Sequence, residues 1–177
     1  MKYFDEIKKS MEYLAKKKNT IFLGQAVSVS GTAMFNTLKD IDIKKKIELP
    51  VAEEMQMGMS LGMALEGYLP VTIYPRWNFL LLATNQLVNH LDKISEISNN
   101  QINPQIIIRT AVRSVRPLDP QSQHRGDFSN AFKQMCKNID IYKITKPSEV
   151  FKTYKKALLN KKRISLVVEI ADFYNEK

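Results

Sequence analysis

The sequence predicts an α/β domain in three layers, a mostly parallel sheet with helices on both faces. Three observations carry this expectation. Short apolar runs, read as strands, alternate along the chain with segments of helical period. Those runs are largely continuous in apolar residues, as strands covered on both faces are. The length of 177 residues suits one domain, residues 1–177, with a substantial core.

Each element has its own justification. Tyr3–Lys17 carries Phe4, Ile7, Met11 and Leu14 at three- and four-residue steps, an amphipathic helix. Ile21–Leu23 is a short buried strand closed by Gly24, and Ser28–Gly31 is a polar turn before a short helix at Thr32–Leu38. Ile47–Val51 is the second strand. The helix Ala52–Glu66 follows it, with Gly58 and Gly62 on one face. Glycine inside a helix costs about 1 kcal/mol relative to alanine, so the pair points to close backbone approach by another element. Val71–Tyr74 is the third strand and Asn78–Ile97 a long helix. Asn99–Pro104 is a loop and Gln105–Arg109 the fourth strand. Thr110–Arg125 has neither period and reads as a long loop, which in a domain of this kind is usually functional or disordered. Asp127–Cys136 is a helix and Ile139–Ile144 an alternating strand. Ser148–Leu159 is a helix with Pro147 at its start, and Ile164–Glu169 is the last strand. No internal repeat or low-complexity segment interrupts the series.

Composition narrows the function. Hydrophobic residues make up 44% and charged residues 25%, ordinary for a globular chain. No apolar run approaches the roughly 18 residues of a membrane span, and the first residues soon turn charged, unlike a secretory signal. Cys136 is the single cysteine, so neither a disulfide framework nor a cysteine metal site is expected, and cytoplasm is the expected compartment. The net charge is +9. Its lysines are scattered over helix ends and connections, without the aromatic interleaving of RNA-binding motifs, so nucleic acid is not the expected partner. An acidic partner chain or a phosphorylated ligand is the better use of that charge.

In a parallel sheet, ligands sit outside the carboxyl ends of the strands. Glu53 follows strand two, Trp77–Phe79 follow strand three, and the Thr110–Arg125 loop follows strand four. The candidate features therefore share one edge.

The stretch from Leu49 to Lys93 adds an ordered set of motifs. Pro50-Val51-Ala52-Glu53 is followed by Gly58 and Gly62, then by Ala64, Gly67 and Pro70-Val71. Trp77-Asn78-Phe79 comes next, then Ala83, Gln86, Asn89 and Lys93. This succession resembles the pyrimidine-binding domain of thiamine-diphosphate enzymes. It is closest to the β subunit of the 2-oxo acid dehydrogenases and more distantly similar to the middle domain of transketolase. The likeness continues through Leu23-Gly24-Gln25-Ala26-Val27, Gly31, Arg109, Gln123-His124, Asn138 to Pro147, and Glu169. It covers the chain from about residue 20.

The resemblance implies roles. Glu53 matches the glutamate that bonds the aminopyrimidine nitrogen and so promotes activation of the cofactor. On local sequence alone it is a helix-start acid facing the macrodipole. Phe79, with Trp77 beside it, matches the aromatic wall on which the pyrimidine stacks. Gln86 and Gln25 are further cofactor-side candidates. His124 matches a histidine that faces substrate and moves protons or stabilises an oxyanion. Arg113, Arg116 and Arg125 offer cations for a substrate carboxylate or phosphate. Two departures stand out: Gln25-Ala26 replace the family's acidic pair, and the loop before His124 lacks its glycines.

The family's diphosphate motif, G-D-G followed by asparagine, is missing, since Gly126-Asp127 runs into Phe128. The resemblance therefore implies that thiamine diphosphate is bound here by its pyrimidine half only. Mg²⁺ and the diphosphate would be held by an α-subunit-like partner in an α2β2 assembly, with the Gly58–Gly62 helix an interface element and no metal ligands in this chain. The expected function is cofactor activation for C–C cleavage or formation on a 2-oxo acid or ketose, in a transketolase-like enzyme, carboligase or decarboxylase. The C-terminal domain of family β subunits is not expected here, and that expectation favours a stand-alone carboligase, ketol transferase or decarboxylase over a complex-bound dehydrogenase. The alternatives are a non-catalytic or regulatory subunit, a β-like subunit of a 2-oxo acid dehydrogenase complex, or an unrelated nucleotide- or nucleic-acid-binding α/β domain.

Overall fold

Six strands pair in parallel in the order β2-β1-β3-β4-β6-β5. They are β1 (Thr20–Gly24), β2 (Lys46–Glu48), β3 (Leu69–Tyr74), β4 (Ile106–Val112), β5 (Ile139–Lys143) and β6 (Ile164–Ile170). The computed structural model describes residues 2–112, 115, 119–161 and 163–175. The sheet is the three-layer α/β arrangement expected, and every described strand pair is parallel. Among the described residues no helix is long and apolar enough to cross a membrane.

Strand parity sorts the core into two. Ile107, Ala111 and Val167 face α1 (Tyr3–Ala15) and α7 (Pro147–Leu159), which bury Ile7, Met11, Leu14, Val150 and Ala157. Ile106, Ile108, Leu166 and Val168 face the other layer, built from α3 (Glu53–Leu65), α4 (Trp77–Leu80), α6 (Ser129–Met135) and the segment between α4 and β4. A short α2 (Ala33–Asn36) caps the first layer, its Thr32 side chain accepting from the Phe35 N–H.

Three expectations are corrected. The second strand is shorter than Ile47–Val51: pairing runs only through Lys46–Glu48, and Pro50 has no N–H with which to continue it. The long helix expected at Asn78–Ile97 is broken into α4, a 3₁₀ turn at Leu81–Ala83, a π-helical turn at Gln86–Leu91 and α5 (Ile94–Ile97). Leu80, Ala83, Leu87 and Leu91 keep a helical spacing and are all buried, so the pattern hides the change of winding. Strand β4 also extends through Thr110, Ala111 and Val112, shortening the loop that follows.

The first layer encloses a charged cluster. Arg109 on β4 donates twice to Glu169 on β6, Nε to Oε1 at 2.7 Å and Nη2 to Oε2 at 2.9 Å, and Nη1 donates to Thr37 Oγ1 at 2.8 Å. Tyr154 and Tyr174 both donate to the same carboxylate. Burial opposes the Arg109 charge, but the Glu169 carboxylate outweighs it and holds the guanidinium firmly protonated. Two residues picked out by resemblance thus form a saturated internal pair rather than an open site.

Candidate functional site

The chain reverses direction in the sheet between β1 and β3, since β2 lies on one side of β1 and β3 on the other. A ligand crevice is expected outside the carboxyl ends of strands at such a point. The residues there are Gln25, Glu53 and the segment 75–79.

Gly24 makes the local geometry possible. Its φ is +133°, and a Cβ would lie 2.2 Å from the Ile73 carbonyl oxygen and 2.6 Å from Gln56 Nε2. The loop that follows is held by an acid the sequence reading did not single out. Glu48, the last residue of β2, accepts backbone N–H bonds from Ala26 (2.8 Å), Val27 (2.8 Å), Ser28 (2.6 Å) and Val29 (3.3 Å). Burial alone would raise its pKa, yet these four donors hold it below the usual carboxylate range. A lone acid inside an apolar strand run, facing a polar turn across the sheet, was the available signal. Ala26 takes φ 58° within this nest.

With the loop so fixed, Gln25 Nε2 donates to Glu53 Oε1 at 2.9 Å. Glu53 opens α3 and is only 3% exposed. Its backbone carbonyl accepts from Tyr74 OH at 3.1 Å, and Gln56 anchors the first turn of α3 to β3 through Thr72 Oγ1 and the Ile73 carbonyl, each at 2.9 Å. Glu53 nevertheless borders an open depression of about 380 Å³, lined with it by Ala52, Glu54, Met55 and Leu82. Among the described residues, no hydrogen bond reaches Oε2. A buried carboxylate with one oxygen fixed, beside apolar Met55 and Leu82, fits a group that presents a weakly basic ring nitrogen.

The other candidates fall into distinct places. Phe79 and His124 stack, ring centroids 6.1 Å apart and planes 22° from parallel. His124 ends a 3₁₀ turn, Ser122–His124, and its Nδ1 is buried without a partner. That turn is entered through Gln121 at φ 67°, ψ −179°, a conformation essentially reserved for glycine. Trp77 is not part of an open wall: it is 1% exposed and packs on Phe128 and Phe132. Gln86 is half-buried at the start of the π-helical turn, and no hydrogen bond ties it to Glu53. Arg125 is engaged by Asp119, which accepts Nε at 2.9 Å, and the Arg125 bonds, followed by the Gln121 N–H, hold that carboxyl low. Arg125 is therefore no free cation for substrate in this structure. Arg113 and Arg116 lie outside the described residues. Among the described residues no group of three or more His, Cys, Asp or Glu side chains is placed to hold a metal ion.

The helix glycines give a further correction. Nothing lies within 4 Å of a Cβ built on Gly58 or Gly62, so the expected close backbone approach is not made within this chain. Both are exposed, in line with exposed Met55 and Leu65 on the outer stripe of α3.

Fold and edge together define a parallel α/β domain with a candidate ligand crevice at the switch point of its sheet. No family model matches the chain. Among curated proteins it is 26% identical over 170 residues to the pyruvate dehydrogenase E1 component subunit β of Cyanidium caldarium, covering 94% of this chain and 50% of that one. It is 29% identical over 111 residues to the same subunit from Gracilaria tenuistipitata var. liui, covering 60% and 34%. It is 26% identical over 113 residues to the 2-oxoisovalerate dehydrogenase subunit β of Bacillus subtilis (strain 168), covering 62% and 35%. The chain thus spans about half or less of the relatives' length. Among solved structures, a split gene transketolase described as an inactive β4 tetramer superposes with a TM-score of 0.69 at 13% identity, covering 94% of this chain and 50% of that one. The resemblance read from the motifs is the one these relatives display: β subunits of 2-oxo acid dehydrogenases in sequence, a transketolase-like domain in fold.

Proposed function

We propose that this chain is the pyrimidine-binding subunit of a thiamine-diphosphate-dependent enzyme acting on a 2-oxo acid or ketose. The observation that carries this reading is Glu53: a nearly buried carboxylate at the switch point of the sheet, fixed on one oxygen by Gln25 and bordering an open depression. Bound there, thiamine diphosphate supplies a carbon nucleophile that this chain's side chains cannot provide. Glu53 holds or shares a proton at the pyrimidine ring nitrogen. Gln25 keeps the Glu53 carboxylate oriented. Leu82 and Met55 exclude water beside it, Phe79 contributes an aromatic edge, and His124 is the candidate for proton movement at the substrate.

An α-like partner carrying the diphosphate and Mg²⁺ half completes the site in this reading. Two features support it. The outer stripe of α3 leaves Met55, Gly58, Gly62 and Leu65 uncovered next to the Glu53 depression. The solved neighbour, moreover, is described as inactive in its β4 form. The relatives' names favour a 2-oxo acid as substrate and a β-like subunit of a dehydrogenase as the wider setting.

Co-expression with a G-D-G…N partner, followed by calorimetric titration with thiamine diphosphate and Mg²⁺, tests the reading. Glu53→Gln in that assembly should lower turnover by about 10²–10⁴-fold while leaving the assembly intact. Full activity in the variant would refute the role.

A further inference from the structure

A second cavity lies at the carboxyl edge, over the layer that holds α1 and α7. It measures about 410 Å³, within the range of small-molecule sites, and is bordered by Thr32, Met34, Asn36, Arg76, Ala111 and Tyr174 among others. We infer that this cavity binds the oxyanion end, carboxylate or phosphate, of a small ligand, with Arg76 as the charged group that recognises it.

Charge carries the inference. Arg76 is the only charged side chain among the described lining residues. Its Nη1 is buried with no hydrogen-bond partner. Burial lowers its pKa, and no acid among the described residues offsets this. A guanidinium partly withdrawn from water without a counter-ion loses solvation, and a planar oxyanion or phosphate restores its bonds in the fork geometry that arginine offers. Two acids near the cavity among the described residues are already engaged. Tyr174, on the cavity wall, donates to Glu169, whose charge is matched by Arg109. Asp172, next along the chain from the lining residue Ala171, accepts from the Val115 N–H at 2.5 Å. Thr32 and Asn36 add neutral polar groups beside the cation. On the function proposed above, the ligand is the acidic tail of the substrate, but the site stands on the cavity and its unpaired cation alone.

The test is a titration of the full chain, alone, with inorganic phosphate and separately with acetate, followed by NMR of backbone amides and arginine side chains. The expected result is a saturable shift at Arg76, Thr32–Asn36 and Ala171–Asn175, weakened about tenfold or more in Arg76→Gln. Tighter binding of phosphate identifies a phosphorylated ligand, and tighter binding of acetate a carboxylate. Shifts spread over the lysines of α7 with none at Arg76, or unchanged affinity in Arg76→Gln, would overturn the proposal. Should that variant not fold, protection of Arg76 from phenylglyoxal by phosphate in the native chain decides the matter, and absence of protection overturns it. Because neither partner nor cofactor is present, a positive titration survives failure of the thiamine reading, and a negative one leaves that reading untouched.

Discussion

Arg109 and Arg76 lie near the same edge of the sheet and have opposite surroundings. Arg109 is wholly buried and saturated: Glu169 takes two of its bonds, Thr37 a third, and two tyrosines complete the carboxylate. Arg76 is half-buried, and its Nη1 meets nothing. The contrast extends to their neighbours. Trp77 Nε1, Asn78 Oδ1 and His124 Nδ1 are also buried without partners, all in the segments that follow β3 and β4. Buried polar groups in a folded chain are ordinarily satisfied. Gln56 Oε1, Thr110 Oγ1 and Ser165 Oγ lack hydrogen-bond partners elsewhere in the fold, so what separates the two arginines is the counter-ion: Glu169 closes off Arg109, and Arg76 has none among the described residues.

The largest effect of substitution belongs to the saturated arginine. Arg109→Met strands Glu169 in the core and should cost about 3–5 kcal/mol in urea unfolding. A smaller loss would mean the cluster is wetter than it looks.

Glu48→Gln weakens the nest that holds residues 26–29 and should cost about 1–3 kcal/mol at neutral pH. The folded-state pKa of Glu48 is depressed, so its contribution is present above the unfolded value of about 4.3 and is lost as pH falls through the folded one. The gap between wild type and variant should therefore close in acid. A gap unchanged by pH would show that the charge is not what the nest holds.

Gln121→Gly relieves a backbone conformation that costs about 1–3 kcal/mol, less the added entropy of glycine in the unfolded chain. A gain of about 1 kcal/mol in thermal unfolding is expected. Arg76→Gln removes a cation that has no partner, so stability should stay within about 0.5 kcal/mol of wild type or rise slightly. A large loss there would erase the distinction between the two arginines.

Much of the fold was legible because it is local. Apolar runs marked all six strands, and the step of Phe4, Ile7, Met11 and Leu14 marked α1. Glu53 was singled out by the resemblance, since on local sequence alone it reads as a helix-start acid. What escaped was set by packing. The winding of residues 81–91 changed without disturbing the apolar spacing. Trp77 and Phe79 are two residues apart, yet one turned into the core and the other onto His124. Arg125 found Asp119 within its own loop. Glu48 and Arg76 gave weak signals because a nest and an unpaired cation exist only once distant segments meet.

By itself, the order of residues determined the parallel sheet, its two apolar layers and the edge on which ligand-facing groups fall, since periodicity and strand polarity are properties of neighbours along the chain. Only the tertiary structure decided which charges are spent internally and which remain open. That depends on pairs such as Arg109 with Glu169, 60 positions apart, being brought within hydrogen-bond reach.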